Sequence, residues 1–208
     1  MSRTRVKICG ITRDQDLAAA VAAGADAAGF VFYPESPRFL AAERAVALLQ
    51  RMPPFVTSVG LFVNPDPAFV RQTLALAPVD LLQFHGEETP EFCRQFGRPY
   101  IKTARMKPGF DLVEFARAYA SAQGLLLDTH VEGYGGGGRA FDWSLVPENL
   151  PLPILLAGGL DSENVGAAIR KLRPWAVDVS SGVELSKGIK DAGKIAAFVA
   201  AVKNADTR

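Results

Sequence analysis

The chain of 208 residues has few of the side chains that form disulfide frameworks or metal sites. Its two cysteines, Cys9 and Cys93, lie far apart, which argues against a small disulfide-stabilised secreted domain and favours free thiols in a reducing compartment. The only histidines are His85 and His130, and no carboxylates cluster at ligand spacing. We therefore expect no metal site.

The sequence also lacks an excess of charge of either sign and any long apolar run. Lys and Arg number 23 and Asp and Glu number 22, so charge does not indicate binding to nucleic acid or to an anionic membrane. No stretch reaches the roughly 20 apolar residues of a membrane-spanning helix, and the amino terminus has no apolar signal core. These absences predict a globular protein of the cytoplasm.

What the sequence does contain is a regular alternation of short apolar runs and amphipathic stretches. Most runs are apolar at consecutive positions, which is typical of parallel strands buried on both faces. The predicted strands are residues 5–9, 27–32, 57–62, 80–84, 100–103, 125–128, 154–157 and 176–180. The predicted helices are residues 14–23, 41–52, 67–76, 90–96, 112–120, 164–172 and 192–202, with a weak single turn at 143–148.

Eight strands followed by helical segments, at roughly 26 residues per unit, predict an α/β protein with a parallel sheet. Eight such units close into a (β/α)8 barrel, and the alternative is an open doubly wound sheet. No linker or composition break interrupts the chain, so residues 1–208 are expected to form a single domain. Thr12, with Gln15 three residues later, is predicted to cap the first helix.

The loops that follow the strands of such a barrel gather around one mouth, where two reactive groups are expected. The first strand ends at Cys9 and the sixth at Asp128, a thiol and a carboxylate suited to act as base and acid. Burial would raise the pKa of Asp128, as an acid requires, whereas the alternative is a carboxylate that caps the next turn.

Cys9 also has a purely structural interpretation, because free cysteines are often buried in cores. Lys7 lies two residues earlier and therefore on the same side of the strand. Its ammonium would either lower the pKa of the thiol or contact a substrate anion directly. Cys93, in a predicted helix, is interpreted as structural.

Two further candidates follow the second and fourth strands. Arg38 can hold a substrate carboxylate through two parallel hydrogen bonds, or it is a solvated surface arginine. His85 either orients a ligand or serves a structural role, and it is kept among the candidate substrate-binding residues.

The turns after strands seven and eight predict a phosphate site. Gly158 and Gly159 precede a helix, and Ser180, Ser181 and Gly182 precede a short helical turn. Glycine lets backbone N–H groups approach an anion closely, a helix amino terminus favours negative charge, and barrels frequently bind phosphate at these two loops. The alternative is a pair of ordinary turns.

The glycine-rich segment at residues 133–138 matches the G-x-G-x-x-G pattern of dinucleotide-binding sites. That pattern must run directly into a helix, whereas FDW at residues 141–143 intervenes here. We interpret the segment as a loop over the mouth whose backbone shapes the ligand pocket.

Several segments together resemble the phosphoribosylanthranilate isomerase family of tryptophan biosynthesis. They are VKICGIT at 6–12, SPR at 36–38, QFHGE at 83–87, LLD at 126–128, FDW at 141–143, LAGGL at 156–160 and DVSSGVE at 178–184. They extend in order over nearly the whole chain, and the first and last are the most specific. Where the family often has Gly-Gly-Thr-Gly, this chain has four glycines at 135–138 and so lacks the hydroxyl.

The resemblance implies a (β/α)8 TIM barrel of the ribulose-phosphate-binding type and a cofactor-free Amadori rearrangement of N-(5-phosphoribosyl)anthranilate. By the matching motifs, Asp128 is the general acid on the ribose ring oxygen and Cys9 is the base at C2. Arg38 faces the anthranilate carboxylate, and the turns at Gly158–Gly159 and 180–182 hold the phosphate. The partner is a small phosphoribosyl substrate, and the protein is a monomer or a homodimer.

Three alternatives remain open on the residues alone. The first is another phosphosugar barrel, such as an indole-glycerol-phosphate synthase or a sugar-phosphate isomerase. A synthase of that type is expected to have a catalytic lysine at the strand ends, and Cys9 with Asp128 fits it poorly. A non-catalytic barrel that binds a phosphoribosyl ligand would need the phosphate turns but neither Cys9 nor Asp128. A redox-active thiol protein lacks a resolving cysteine near Cys9.

Overall fold

The computed structural model describes residues 3–130 and 140–207, in which strands and helices alternate along the chain. The elements are β1 (Arg5–Cys9), α1 (Asp14–Ala23), β2 (Ala27–Val31), α2 (Ala42–Leu49), β3 (Thr57–Phe62), α3 (Pro67–Leu76), β4 (Leu81–Phe84), α4 (Pro90–Arg94), β5 (Tyr100–Met106), α5 (Leu112–Ala118), β6 (Gly124–Thr129), β7 (Ile154–Leu156), α6 (Val165–Leu172), β8 (Ala176–Val179), β9 (Glu184–Ser186), β10 (Ile189–Lys190) and α7 (Ala192–Asp206). Short 3₁₀ turns lie at Trp143–Leu145 and Ser181–Val183.

Strands β1 to β8 pair in sequence order, all in parallel, and β8 returns to pair with β1. In that closing pair Lys7 lies opposite Asp178. The sheet is therefore a closed barrel, which confirms the predicted (β/α)8 architecture over the open doubly wound sheet. Within the described ranges, no helix is both long and apolar enough to cross a membrane.

Local sequence signals account for several helix starts. Pro67 and Pro90 occupy the first turns of α3 and α4, where a missing N–H costs nothing. Asp66 accepts a hydrogen bond from the Ala68 N–H, and Thr89 accepts one from the Phe92 N–H. Each oxygen satisfies a backbone donor that the helix leaves free.

The predicted cap of α1 is wrong. The residue before the helix is Arg13, which makes no side-chain cap, while the Thr12 hydroxyl donates to the Gly188 carbonyl 2.7 Å away. Thr12 instead joins the loop after β1 to the turn between β9 and β10. This hairpin has no counterpart in the prediction because its strands have only three and two residues.

Apolar side chains form one large core between the sheet and the helices, in which Phe30, Phe62 and Phe84 are fully buried. Two smaller clusters lie apart from that core. One contains Cys9, Val31, Leu61 and Val63, and the other contains Ile101, Leu126 and Ala157. Since strand side chains alternate between faces, these small clusters belong to the inner face of the barrel.

A buried ion pair joins the loops after β3 and β4 to strand β5. The Lys102 ammonium lies 3.0 Å from the Glu88 carboxylate, and both side chains are almost fully buried. The other carboxylate oxygen accepts hydrogen bonds from the N–H groups of Asn64 and Gly86. Lys102 also donates to the Gly86 carbonyl. The pair therefore holds the loop that follows His85.

We expect Lys102→Met to lower the free energy of unfolding by about 3–5 kcal/mol, because it leaves the Glu88 carboxylate buried without its partner. Denaturant titration measures this loss, and Lys107→Met, at an exposed position, is the control that should change little. The double variant with Glu88→Gln should recover part of the loss. A cost below about 1 kcal/mol for Lys102→Met would contradict the assigned importance of the pair.

Candidate active site

A pocket opens where the strands end, and it brings together most of the predicted site residues. It is lined by Cys9, Arg38, His85, Asp128, Gly158, Gly159, Ser180 and Ser181, with Tyr33 and Ser36 beside them. The remaining two predicted residues, Lys7 and Gly182, do not line it.

Cys9 ends β1 and is buried, opposite Gly29 of β2. A Cβ atom on Gly29 would lie 2.9 Å from the Cys9 Sγ and 3.1 Å from the Lys7 Cε, so glycine at this position makes room for both side chains. Burial raises the pKa of the Cys9 thiol and outweighs the opposite effect of the Lys7 ammonium. Lys7 lowers this pKa, as the sequence analysis expects, but burial has the larger effect, so the thiolate is not favoured in the substrate-free protein.

Lys7 lies below the pocket inside the barrel. Its ammonium donates to the Asp178 carboxylate at 3.0 Å and to Oε1, the side-chain carbonyl oxygen of Gln83, at 2.9 Å. Strands β1 and β4 are not neighbours, so the contact with Gln83 crosses the barrel interior. Burial lowers the pKa of Lys7, but the charges of Asp178 and Cys9 raise it more, and the ammonium stays charged.

Asp128 lies across the mouth near the end of β6. One carboxylate oxygen accepts a hydrogen bond of 2.7 Å from the Thr129 N–H, and the other is 3.4 Å from the His85 Nε2. Burial raises the pKa of Asp128 to about 6, as the sequence predicts for an acid. Gly158 leaves room for the Asp128 carboxylate beside the turn after β7, since a Cβ on Gly158 would lie 3.0 Å from the Asp128 Oδ1.

His85 follows β4 and faces Asp128. Its Nδ1 lies 3.2 Å from the Gln83 Nε2 and 3.1 Å from the Thr103 hydroxyl. Burial, with the nearby cations of Lys102, Lys7 and Arg105, lowers the pKa of His85 to about 3. The ring is therefore neutral at physiological pH.

Arg38 is held by Glu184, which the sequence analysis did not single out. The Nε and Nη2 atoms donate to the two Glu184 oxygens at 2.7 and 2.8 Å, and the Lys190 ammonium lies 2.8 Å from Oε1. Gly10, with φ of 77°, leaves space for the Arg38 side chain, since a Cβ there would lie 2.5 Å from the arginine Cδ. Among the residues that the structure describes, the Glu184 pairing leaves Nη1 and one N–H of Nη2 of Arg38 for a ligand.

The two turns of the predicted phosphate site are in contact. Gly158 and Gly159 both have positive φ, and the Asn164 side chain donates to the Gly159 carbonyl at 2.8 Å. A Cβ on Gly182 would lie 2.0 Å from the Leu160 carbonyl oxygen, so only glycine lets the turn after β8 pack against the turn after β7. Gly182 therefore shapes the site from behind.

Four polar residues near the pocket were missed: Gln83, Asp178, Glu184 and Lys190. A signal existed for the first two, because Gln83 lies two residues before His85 and Asp178 two before Ser180, which places each pair on one strand face. Glu184 and Lys190 lie in the β9–β10 hairpin, which no sequence pattern predicts.

Two other predictions concern residues outside this pocket. Cys93 is buried in α4, and its thiol lies 3.9 Å from the Glu88 carbonyl oxygen, in keeping with a structural role. The glycine-rich segment at 133–138 lies outside the described residues, so its interpretation as a pocket loop stays a prediction.

Comparison with known proteins gives full-length matches. Residues 6–201 match the family model of N-(5'-phosphoribosyl)anthranilate (PRA) isomerase. Over 204 residues the chain is 61% identical to the N-(5'-phosphoribosyl)anthranilate isomerase of Dechloromonas aromatica, covering 98% of each protein.

Solved structures agree with these matches. The phosphoribosyl anthranilate isomerase of Thermotoga maritima has a TM-score of 0.90 and 41% identity, covering 97% of this chain and 99% of that one. A phosphoribosyl anthranilate isomerase in complex with reduced 1-(o-carboxyphenylamino)-1-deoxyribulose 5-phosphate has a TM-score of 0.84 and 40% identity, with the same coverage. Mutually generated monomers of the dimeric Thermotoga maritima enzyme have a TM-score of 0.85 and 38% identity, covering 96% and 98%.

We expect one carboxyl group of the protein to titrate near pH 6, because burial favours the neutral form of Asp128. Carboxyl ¹³C NMR measures this titration, and Asp128→Asn should remove it. Asp142→Asn is the control, since hydrogen bonds from Ser144 lower the pKa of that exposed group. A signal near pH 6 that persists in Asp128→Asn would show that another carboxyl group is responsible.

Proposed function

The chain belongs to the N-(5'-phosphoribosyl)anthranilate isomerase family, and we propose that Asp128 and Cys9 carry out its reaction as acid and base. The protein is an isomerase of tryptophan biosynthesis that converts N-(5-phosphoribosyl)anthranilate into 1-(2-carboxyphenylamino)-1-deoxy-D-ribulose 5-phosphate. The observation that carries the residue assignment is one pocket with a thiol and a carboxylic acid between candidate sites for two anions.

The rearrangement needs one protein group that donates a proton to the sugar and one that accepts a proton from it, held on opposite sides of the bound sugar. Asp128 donates its proton to the ring oxygen, the bond from this oxygen to C1 breaks, and the nitrogen lone pair forms a protonated imine at C1. The Cys9 thiolate then takes the proton from C2, and the C–H electron pair forms the double bond of an enolamine. Transfer of the C2 hydroxyl proton and protonation of C1 give the ketone.

No proton is gained or lost overall, because substrate and product are isomers. The proton that Cys9 gains and the proton that Asp128 loses are therefore redistributed before the next turnover. No cofactor takes part in this proposal, since each step moves only protons and electron pairs within the substrate and these two side chains.

The pKa values set the population of the reactive form. A pKa of about 6 leaves roughly one Asp128 in ten protonated at pH 7, and burial keeps most Cys9 as the thiol. The reactive form has Cys9 as the thiolate and Asp128 as the carboxylic acid, so it differs from the main form by one proton moved from Cys9 to Asp128. The Lys7 ammonium lowers the cost of this transfer because it lies beside the thiolate that forms.

The remaining assignments concern binding. We propose that the free edge of Arg38 holds the anthranilate carboxylate and that the turns at Gly158–Gly159 and 180–182 hold the phosphate. Glycine conformations and the contact between the two turns support this. His85 lines the pocket and is proposed to contact substrate, whereas the buried position of Lys7 supports an electrostatic role at Cys9.

Two broader predictions stand as proposals. We propose that residues 1–208 form one domain and that the protein acts in the cytoplasm. The free thiols of Cys9 and Cys93 support a reducing compartment.

We expect Cys9→Ser and Asp128→Asn each to lower kcat by about 10²–10⁴-fold, because each removes one proton-transfer group. The measurement is the loss of substrate fluorescence in single turnover with freshly made phosphoribosylanthranilate, together with binding of a reduced product analogue. Binding should persist in both variants, and Cys93→Ala should keep the wild-type kcat. Full activity of either variant would remove that residue from the mechanism.

The amino-terminal end of the barrel supports a further proposal on oligomeric state. Phe55 precedes β3, is fully exposed and has a φ of 70°, a strained backbone for this residue type. It lies in a groove with Met52, Pro53, Pro54 and the half-exposed Leu76. Since a similar isomerase is dimeric, we propose that a second copy of this chain covers the groove.

We expect Phe55→Asp to halve the mass in solution while kcat stays within about twofold, because a charge in the covered groove opposes association. Sedimentation or light scattering measures the mass. Leu185→Asp changes an exposed apolar residue at the opposite end of the barrel and should leave the mass unchanged. A wild-type protein that is monomeric at micromolar concentration would overturn this proposal.

A further inference from the structure

We propose that Gln83 is a positioning residue that determines which nitrogen of His85 carries the ring proton, so that the Nε2–H faces Asp128. The inference rests on the proposed role of Asp128 as the acid. It concerns a residue that does not line the pocket and acts only through its neighbour.

The orientation of the Gln83 side-chain amide is determined by Lys7. An ammonium has three donors and no acceptor, so the Gln83 atom at 2.9 Å from it must be the carbonyl oxygen. Lys7 cannot turn away without losing its contact with Asp178 at 3.0 Å. The amide nitrogen of Gln83 must therefore point in the other direction, where it lies 3.2 Å from the His85 Nδ1.

This orientation in turn determines the tautomer of His85. The Gln83 Nε2 can only donate, so the Nδ1 opposite it must accept and cannot carry a proton. The single proton of the neutral ring is then on Nε2, which lies 3.4 Å from the Asp128 Oδ2. The Thr103 hydroxyl, 3.1 Å from Nδ1, can rotate to donate as well, but it can equally accept, so it does not select the tautomer by itself.

The selected tautomer matters because Asp128 becomes negatively charged when it gives up its proton. An Nε2–H at this distance from the carboxylate stabilises the charge electrostatically as it develops, whereas the other tautomer would place a nitrogen lone pair there. A fixed donor costs no reorientation during the reaction. The polar chain Asp178–Lys7–Gln83–His85–Asp128 thus connects the ammonium beside Cys9 with the proposed acid on the other side of the pocket.

The test measures the tautomer by ¹⁵N NMR of the histidine rings in the substrate-free protein at about pH 8.5, where imidazole is neutral. The chain has only His85 and His130, so His130→Gln assigns the signals. We expect the wild-type proton on Nε2 of His85. In Gln83→Glu the carboxylate can only accept, and we expect the proton to move to Nδ1. A His85 proton on the other nitrogen, or on both nitrogens, in either protein would overturn the proposal.

Thr103→Val provides the matched control, because it removes the other neighbour of Nδ1 and keeps the shape of the side chain. We expect its proton to remain on Nε2, and this variant keeps the proposal testable if Gln83→Glu does not fold. A proton on Nδ1 in Thr103→Val would assign the tautomer to Thr103 and overturn the role of Gln83.

Kinetics distinguish this inference from the proposed function. We expect Gln83→Glu to lower kcat by about 10–100-fold with KM within about threefold, and to have no further effect when added to Asp128→Asn. An equal loss in the Asp128→Asn background would show that Gln83 does not act through Asp128. Full activity of Asp128→Asn alone would refute the proposed acid while the NMR result for His85 would stand.

Discussion

The Lys7 ammonium inside the barrel is the interaction on which the arrangement of the pocket depends. Moving a charge of this kind out of water costs several kcal/mol, so it is tolerated only with compensating partners. Asp178 supplies the opposite charge from the neighbouring strand, and Gln83 supplies a carbonyl oxygen from across the interior. Because Lys7 and its two partners come from three strands, β1, β4 and β8, the closed barrel is required to assemble them.

A second cluster of charges lies beside the first, at the loops that follow β2 and β8, the two strands that flank β1. Glu184 lies between Arg38 and Lys190, and the Lys190 ammonium also contacts the carbonyl of Ser180. The short β9–β10 hairpin thereby ties the arginine after β2 to the turn after β8. In both clusters most hydrogen-bond donors of the cationic side chains bind protein acceptors. The few remaining N–H groups are therefore held in fixed orientations for a ligand.

The two ends of the barrel have different physical tasks. The carboxyl ends of the strands carry titratable groups whose pKa values burial displaces, such as Cys9 and Asp128. The amino-terminal end carries the apolar groove around Phe55. Such a separation lets one end be built for chemistry and the other for packing or association.

The sequence by itself determined the order of elements and the residues at the strand ends, since apolar runs, prolines and turn glycines act locally. It therefore predicted the barrel, the mouth with Cys9 and Asp128, and the start of α3 at Pro67. Only the tertiary structure decided that Thr12 bonds Gly188, that Glu184 holds Arg38, and that Gln83 links Lys7 to His85. It also decided that the pKa of the Cys9 thiol is raised, because burial has a larger effect than the Lys7 ammonium. These features depend on burial and on partners far away in the sequence, and neither has a local pattern.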